Sequence, residues 1–354
     1  GSSLGVSNVP HRYTGSEPLI YFGGERAFFR SDDIKLKSAT VTRVGGLDVP
    51  GSIDFANDLF PYGVKGDGSK FVASTNPQID ESDILKVTLG NGNDLFTIKN
   101  TPKTKFTLET GDGNDEVGIR KIRNETTVNT GTGDDKIYVG SFAGFWDIDE
   151  GDRGGYRNEP PVNDAQSVND AQFINVMGNL NDIAHDLIIN SGSGNDQMVL
   201  DDTGDTAANS DGNLTSNKVT GLGIGAGKSI QYNELEEINI NLGEGNDEFT
   251  VESTSAGTAV TIEGRGGDDS INVKSNAGTT SIYGDADSGS FMIGTQEIVV
   301  KEGDDTFLVG SETLSSIRGS NEGGVLDTIN GTLTLLGGGN DDGEDKFFAY
   351  NNGS

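Results

Sequence analysis

Apolar residues recur at every second position in short runs, and glycine- and aspartate-rich corners separate the runs. Val260 and Ile262 alternate with Thr261 and Glu263, and Ile271 and Val273 alternate with Asn272 and Lys274. A period of two puts one side chain in a core and the next in water, which predicts half-buried β-strands. The corners repeat as Gly-x-Gly-(Asn/Asp)-Asp. Full copies are Gly90-x-Gly92-x-Asp94, Gly111-x-Gly113-x-Asp115, Gly131-x-Gly133-x-Asp135, Gly192-x-Gly194-x-Asp196 and Gly243-x-Gly245-x-Asp247. Degenerate copies end at Asp269, Asp305 and Asp341, and Asp287 falls midway between two of them. Asp94 to Asp115 is 21 residues, Asp115 to Asp135 is 20, Asp247 to Asp269 is 22, and Asp269 to Asp287 and Asp287 to Asp305 are 18 each. These are lengths for one coil of a stacked structure. The expected fold is all-β, a parallel β-helix (β-solenoid) of about 18–22 residues per coil, in which stacking buries a core that no single coil could bury.

The pattern divides the chain. Residues 1–80 lack the motif but carry aromatic and β-branched runs such as Leu19-Ile20-Tyr21-Phe22, so they are expected to form a β-rich N-terminal cap. Open coil ends expose strand edges and need such caps. The array is expected over 81–354, with insertions at about 140–186, which holds Trp146, and at 201–237, read as an extra hairpin or loop. Gly1-Ser2-Ser3 reads as an added sequence, so the natural start is expected upstream.

Composition sharpens this picture. Only 32% of the 354 residues are apolar and 53 are glycine, too few apolar groups for an ordinary compact core. Disorder would give the same composition without the periodic apolar beats. The 25 basic and 56 acidic residues leave a net charge of −31. That balance argues against nucleic acid as a partner, since phosphate binding needs a basic face. It also calls for counter-cations. There are no cysteines and two distant histidines, His11 and His185, which excludes disulfides and thiolate- or imidazole-rich metal sites. No apolar run is long enough to span a membrane as a helix.

The motif itself offers oxygen chemistry. Glycines at its first and third places allow a tight corner with φ > 0 and leave backbone carbonyls accessible. The final aspartate adds a carboxylate just before the next strand. Stacked corners would bring these oxygens together, and calcium accepts six to eight of them in loose geometry. The competing metal-free reading has the Asp and Asn side chains capping local backbone amides. The residue before each aspartate (Asn93, Asn114, Asp134, Asn195, Asn246) reads as a turn residue.

The five Gly-x-Gly-x-Asp copies resemble the repeats-in-toxin family of hemolysin-type calcium-binding repeats, in the long-period form of large bacterial surface proteins. Over roughly residues 87–350 the resemblance implies a secreted or cell-surface protein whose repeats fold on several bound Ca²⁺ ions. The glycines of the five full copies would frame the sites, and Asp94, Asp115, Asp135, Asp196, Asp247, Asp269, Asp287, Asp305 and Asp341 would be ligands. It implies a structural or adhesive module rather than an enzyme, facing cell-surface or matrix polysaccharide or another protein. Two departures stand out. The leading glycine is replaced by Leu89, Thr110, Thr130, Ser191 and Leu242, and the period is about 20 residues where tandem nonapeptides repeat every nine. One motif corner per coil implies a single column of sites. The alternatives are a β-helix polysaccharide lyase or epimerase, or the secretion tail of a toxin or hydrolase. Basic residues are sparse for the first of these, and His185 beside Asp186 reads as a surface histidine.

Overall fold

The computed structural model describes residues 19–22, 25–28, 38–42, 51–54, 62–64, 70–72, 84–101, 103–145, 173–174, 177–285, 290–293, 296–299, 304–310, 328–336 and 345–349. The described residues contain no helix. The strands form two large sheets, of eleven and twelve strands, and three two-stranded sheets.

From Ile84 onward the chain passes back and forth between the two large sheets. Ile84–Asn91, Lys105–Asp112, Thr126–Thr132 and Leu187–Ser193 lie side by side and parallel in the second sheet. The strands that follow them, Leu95–Asn100, Glu116–Ile119, Lys136–Val139 and Gln197–Asp201, lie parallel in the first. Equivalent residues therefore stack. Ile98, Ile119, Val139, Leu200, Ile240, Ile262 and Ile282 form one continuous row across the first sheet, and each is almost wholly buried. Val87, Leu108, Val128 and Ile189 form its counterpart in the second. The inward rows of both sheets belong to one apolar cluster. Each Val, Leu, Ile or Phe fully buried in this way contributes about 1.5–3 kcal/mol of transfer free energy. The predicted alternation holds at Val260, Ile262, Ile271 and Val273. Asn272 is buried as well, on the outward side of its strand beside Leu308.

The sheets extend into the region expected as a cap. Ser38–Thr42 pairs parallel with Ile84–Asn91, and Gly51–Asp54 with Leu95–Asn100. Beyond them the pattern changes: Leu19–Phe22 pairs antiparallel with both Gly51–Asp54 and Glu25–Phe28. At the other end, Leu333–Leu336 and Lys346–Ala349 are the last strands of their sheets, with Leu336, Phe347 and Phe348 exposed.

Insertions interrupt the alternation without breaking the register. Between Val139 and Leu187 the chain crosses the outer face of the first sheet, where Gly144 lies against Gly118 and Thr97. A Cβ on Gly118 would meet the Gly144 Cα at 2.3 Å, so glycine is required there. Trp146 lies outside the described residues. The second insertion contains the hairpin Gly212–Thr215 and Lys218–Thr220, which is built into the second sheet between Glu248–Val251 and Ile230–Asn233. A third, Ser290–Ile293 with Gln296–Val299, corrects the reading of two 18-residue coils ending at Asp287 and Asp305.

Candidate functional site

The first four motif corners form a stacked column. Gly90, Gly111, Gly131 and Gly192 are direct neighbours in register. Gly111, Gly131 and Gly192 have φ of 113°, 101° and 93°, and Gly113, Gly133 and Gly194 are also left-handed. The arches press on one another: a Cβ on Gly131 would lie 2.0 Å from the Gly111 carbonyl oxygen, and one on Gly133 would lie 2.1 Å from that of Gly113.

Two hydrogen-bond ladders run along this column in opposite directions. In the inner ladder each aspartate accepts from the backbone of the preceding corner. The Asp94 N–H donates to Asp115 Oδ1 (2.7 Å), that of Asp115 to Asp135 Oδ1 (2.8 Å), and that of Asp135 to Asp196 Oδ1 (2.8 Å). In the outer ladder the Asn114 N–H donates to Asn93 Oδ1 (2.9 Å), that of Asp134 to Asn114 Oδ1 (3.0 Å), and that of Asn195 to Asp134 Oδ1 (2.9 Å). This explains the Asn/Asp-Asp pair at these corners: two consecutive amides that no strand can satisfy are each met by a side chain from a neighbouring corner. Asn114→Ala is expected to cost about 1 kcal/mol in chemical denaturation, the worth of one such bond; an unchanged denaturation midpoint would show that the outer ladder adds nothing to stability.

The second carboxylate oxygens are different. Asp115, Asp135 and Asp196 are essentially unexposed, and their Oδ2 atoms have no hydrogen-bond partner. The Thr110 hydroxyl, beside Asp115, donates to the Thr130 carbonyl (2.9 Å), and the Thr130 hydroxyl to that of Ser191 (2.8 Å). Burial, only partly offset by these hydroxyls and the ladder amides, pushes Asp115 up to about 7 and raises Asp135. Burial, with the like charges of Asp135 and Glu236 added, pushes Asp196 up to about 6. A row of buried carboxylates with free oxygens demands protons or cations.

The remaining motif corners form a second column, which corrects the expectation of one. In the first column each motif joins a second-sheet strand to a first-sheet strand. From Asp247 onward it joins Glu237–Asn241, Ala259–Arg265 and their successors in the first sheet to strands of the second. The inner ladder resumes there. The Asn209 N–H donates to Asp247 Oδ1 (2.7 Å), that of Asp247 to Asp269 Oδ1 (2.8 Å), that of Asp269 to Asp305 Oδ1 (2.9 Å), and that of Asp305 to Asp345 Oδ1 (3.1 Å). Asp287 and Asp341 lie outside the described residues; the column steps from Asp269 directly to Asp305 and then to Asp345, which the sequence reading did not single out. Asp305 Oδ2 is buried without a partner, and burial pushes this residue up to about 7. Asp247 is spoken for, since its Oδ2 accepts from the Gly243 N–H (3.2 Å). Neither Gly243 nor Gly245 is left-handed; a Cβ on either would meet the backbone of Asp205 or Ala207. Asp205-x-Ala207-x-Asn209 is thus a concealed motif copy that opens this column.

Among the described residues no three His, Cys, Asp or Glu side chains gather to hold a metal by themselves, so any cation in the columns needs backbone carbonyls or hydroxyls as well. No described helix is long and apolar enough to cross a membrane. The chain matches no family model, no curated protein and no solved structure.

Proposed function

We propose that the protein is a parallel β-helix of the repeats-in-toxin kind, acting outside the cell as a calcium-stabilised structural or adhesive module. The observation that carries this reading is the row of buried, unpartnered Oδ2 atoms on Asp115, Asp135 and Asp196. The alternation of parallel strands between two sheets with a shared core supports the helix. The donor set fits a hard cation, because carboxylate, carbonyl and hydroxyl oxygens line the column. Bound calcium would neutralise charge that otherwise opposes folding, at a net of −31. In this reading Asp115, Asp135 and Asp196 hold the ions, the left-handed glycines set the corner that admits them, and Asp247 is a structural member of its ladder. The partner is a cell-surface or matrix polysaccharide or another protein, and the module catalyses nothing.

The test is far-UV circular dichroism and thermal melting in EDTA, followed by titration with calcium against a magnesium control. Calcium should raise the melting temperature or drive a coil-to-β transition, and magnesium at equal concentration should do neither. Identical melting in EDTA and in calcium would leave the aspartates as corner capping alone.

A further inference from the structure

The first column ends abruptly, and its end is built unlike its interior. Between Asn190 and Gln197, which pair with Asn233 and Glu237, the motif corner takes six residues, 191–196. The next strand of the second sheet, Ile230–Asn233, leads into a corner of only three, Glu234, Leu235 and Glu236, before Glu237–Asn241 begins. Glu234 takes a left-handed φ of 59° to make so short a turn. No glycine arch therefore stacks on Gly192 and Gly194.

A side chain takes that place. The Asp196 N–H donates to Glu236 Oε2 (2.9 Å), continuing the ladder with a longer carboxylate, and the Glu236 and Glu237 N–H groups donate to the Asp196 carbonyl (3.2 and 3.0 Å). Two wholly buried oxygens are left over: Asp196 Oδ2 and Ser191 Oγ. Ser191 occupies the register place of Thr130. The Thr130 hydroxyl lies in hydrogen-bonding reach of the Asp135 carboxylate and donates to the next carbonyl along the column. Ser191 Oγ has no such carbonyl above it, because strand pairing stops at Asn190 and Asn233.

We propose that Asp196, Glu236 and Ser191 form a terminal calcium site of their own composition, closing the first column where the chain changes sides. It rests on the calcium reading of that column but concerns residues outside the motif. Two carboxylates and a hydroxyl, with carbonyls of the two corners, supply the hard oxygens a divalent ion of this size takes. A bound ion also offsets the like-charge repulsion between the Asp196 and Glu236 carboxylates.

The experiment is calcium binding by equilibrium dialysis and calorimetry on the whole chain, with Glu236→Gln and Ser191→Ala beside the parent. Glutamine keeps an acceptor for the Asp196 amide, and alanine removes a hydroxyl that bonds nothing, so neither substitution threatens the fold. Each variant should bind one ion fewer, or bind its weakest ion at least tenfold more weakly. In EDTA each should melt at the parent temperature or above it. Variants that bind the parent's number of ions with unchanged affinity overturn the site while leaving the column reading intact. A Glu236→Gln protein that melts lower in EDTA with unaltered calcium binding assigns Glu236 to the ladder alone. A parent that binds no calcium overturns both.

Discussion

Gly131→Ala should destabilise the protein by about 3 kcal/mol or more, far beyond a usual glycine substitution. Two costs combine. At φ = 101° an L-residue carries the strain of the left-handed region, about 1–2 kcal/mol. The new Cβ would also sit 2.0 Å from the Gly111 carbonyl oxygen, a backbone atom that cannot turn aside. Relieving that overlap means prising two stacked corners apart, and overpacking of this kind costs about 1–3 kcal/mol. Gly227→Ala separates the two effects. Gly227 has a φ of 70°, but nothing lies within 4 Å of its would-be Cβ. Its substitution should cost only the conformational part, about 1–2 kcal/mol. Urea denaturation of the two variants against the parent makes the comparison. Equal losses would mean that the corners do not stack as described.

In EDTA the protein should be most stable in acid and lose stability as the pH rises from about 4 to 8. Asp115 and Asp305 are pushed up to about 7 and Asp196 to about 6 by burial, from an ordinary value of 3.8. A carboxyl whose folded pKa is raised binds more protons folded than unfolded across that interval. Its contribution is therefore fully present below about pH 4 and disappears as the pH passes through 6 to 7. Several such groups together amount to several kcal/mol, enough to move a melting curve by many degrees. If the columns hold calcium as proposed, saturating calcium should flatten the profile, because a bound cation would do the work of the protons. Asp115→Asn tests the assignment. The amide oxygen still accepts the Asp94 N–H, but no charge remains to be buried. In EDTA at pH 8 this variant should melt above the parent and show a shallower pH slope, and calcium should stabilise it less. A parent whose stability in EDTA climbs from pH 4 to 8 would contradict the description of these carboxylates.

The sequence made the strands and the repeating corner legible because both are local. Alternation at Val260, Ile262, Ile271 and Val273 is set by the pleat, and Gly111-x-Gly113 by the φ its arch requires. The change of sides was not legible, because it is a matter of parity. Gly243-x-Gly245-x-Asp247 reads like the earlier copies, yet its direction depends on which sheet the preceding strand belongs to, and the motif-free corner at 234–236 moves the next copy to the opposite turn. The concealed corner at Asp205, Ala207 and Asn209 escaped because none of its key positions keeps the consensus residue. Asp341 and Asp345 each end a Gly-x-Asp triplet. The usable signal was adjacency: in the strong copies the aspartate directly precedes its strand, as Asp115 precedes Glu116, and Asp345 precedes Lys346–Ala349 in the same way. Glu236 had no signal in one dimension, since it substitutes for a whole corner by reach.

Consider last the link from Asp135 to Asp196. It spans 61 residues where its neighbour spans 20, yet both bonds are 2.8 Å long. Tripling the length of a closed loop adds only about 1 kcal/mol of closure entropy, because that cost grows with the logarithm of length. The ladder is therefore indifferent to what is threaded between its rungs. Extra sequence leaves after one strand, makes its own excursion, and returns to the same register at little thermodynamic penalty. Such an array can accept grafted recognition segments at the connections between its strands while the stack beneath them stays the same.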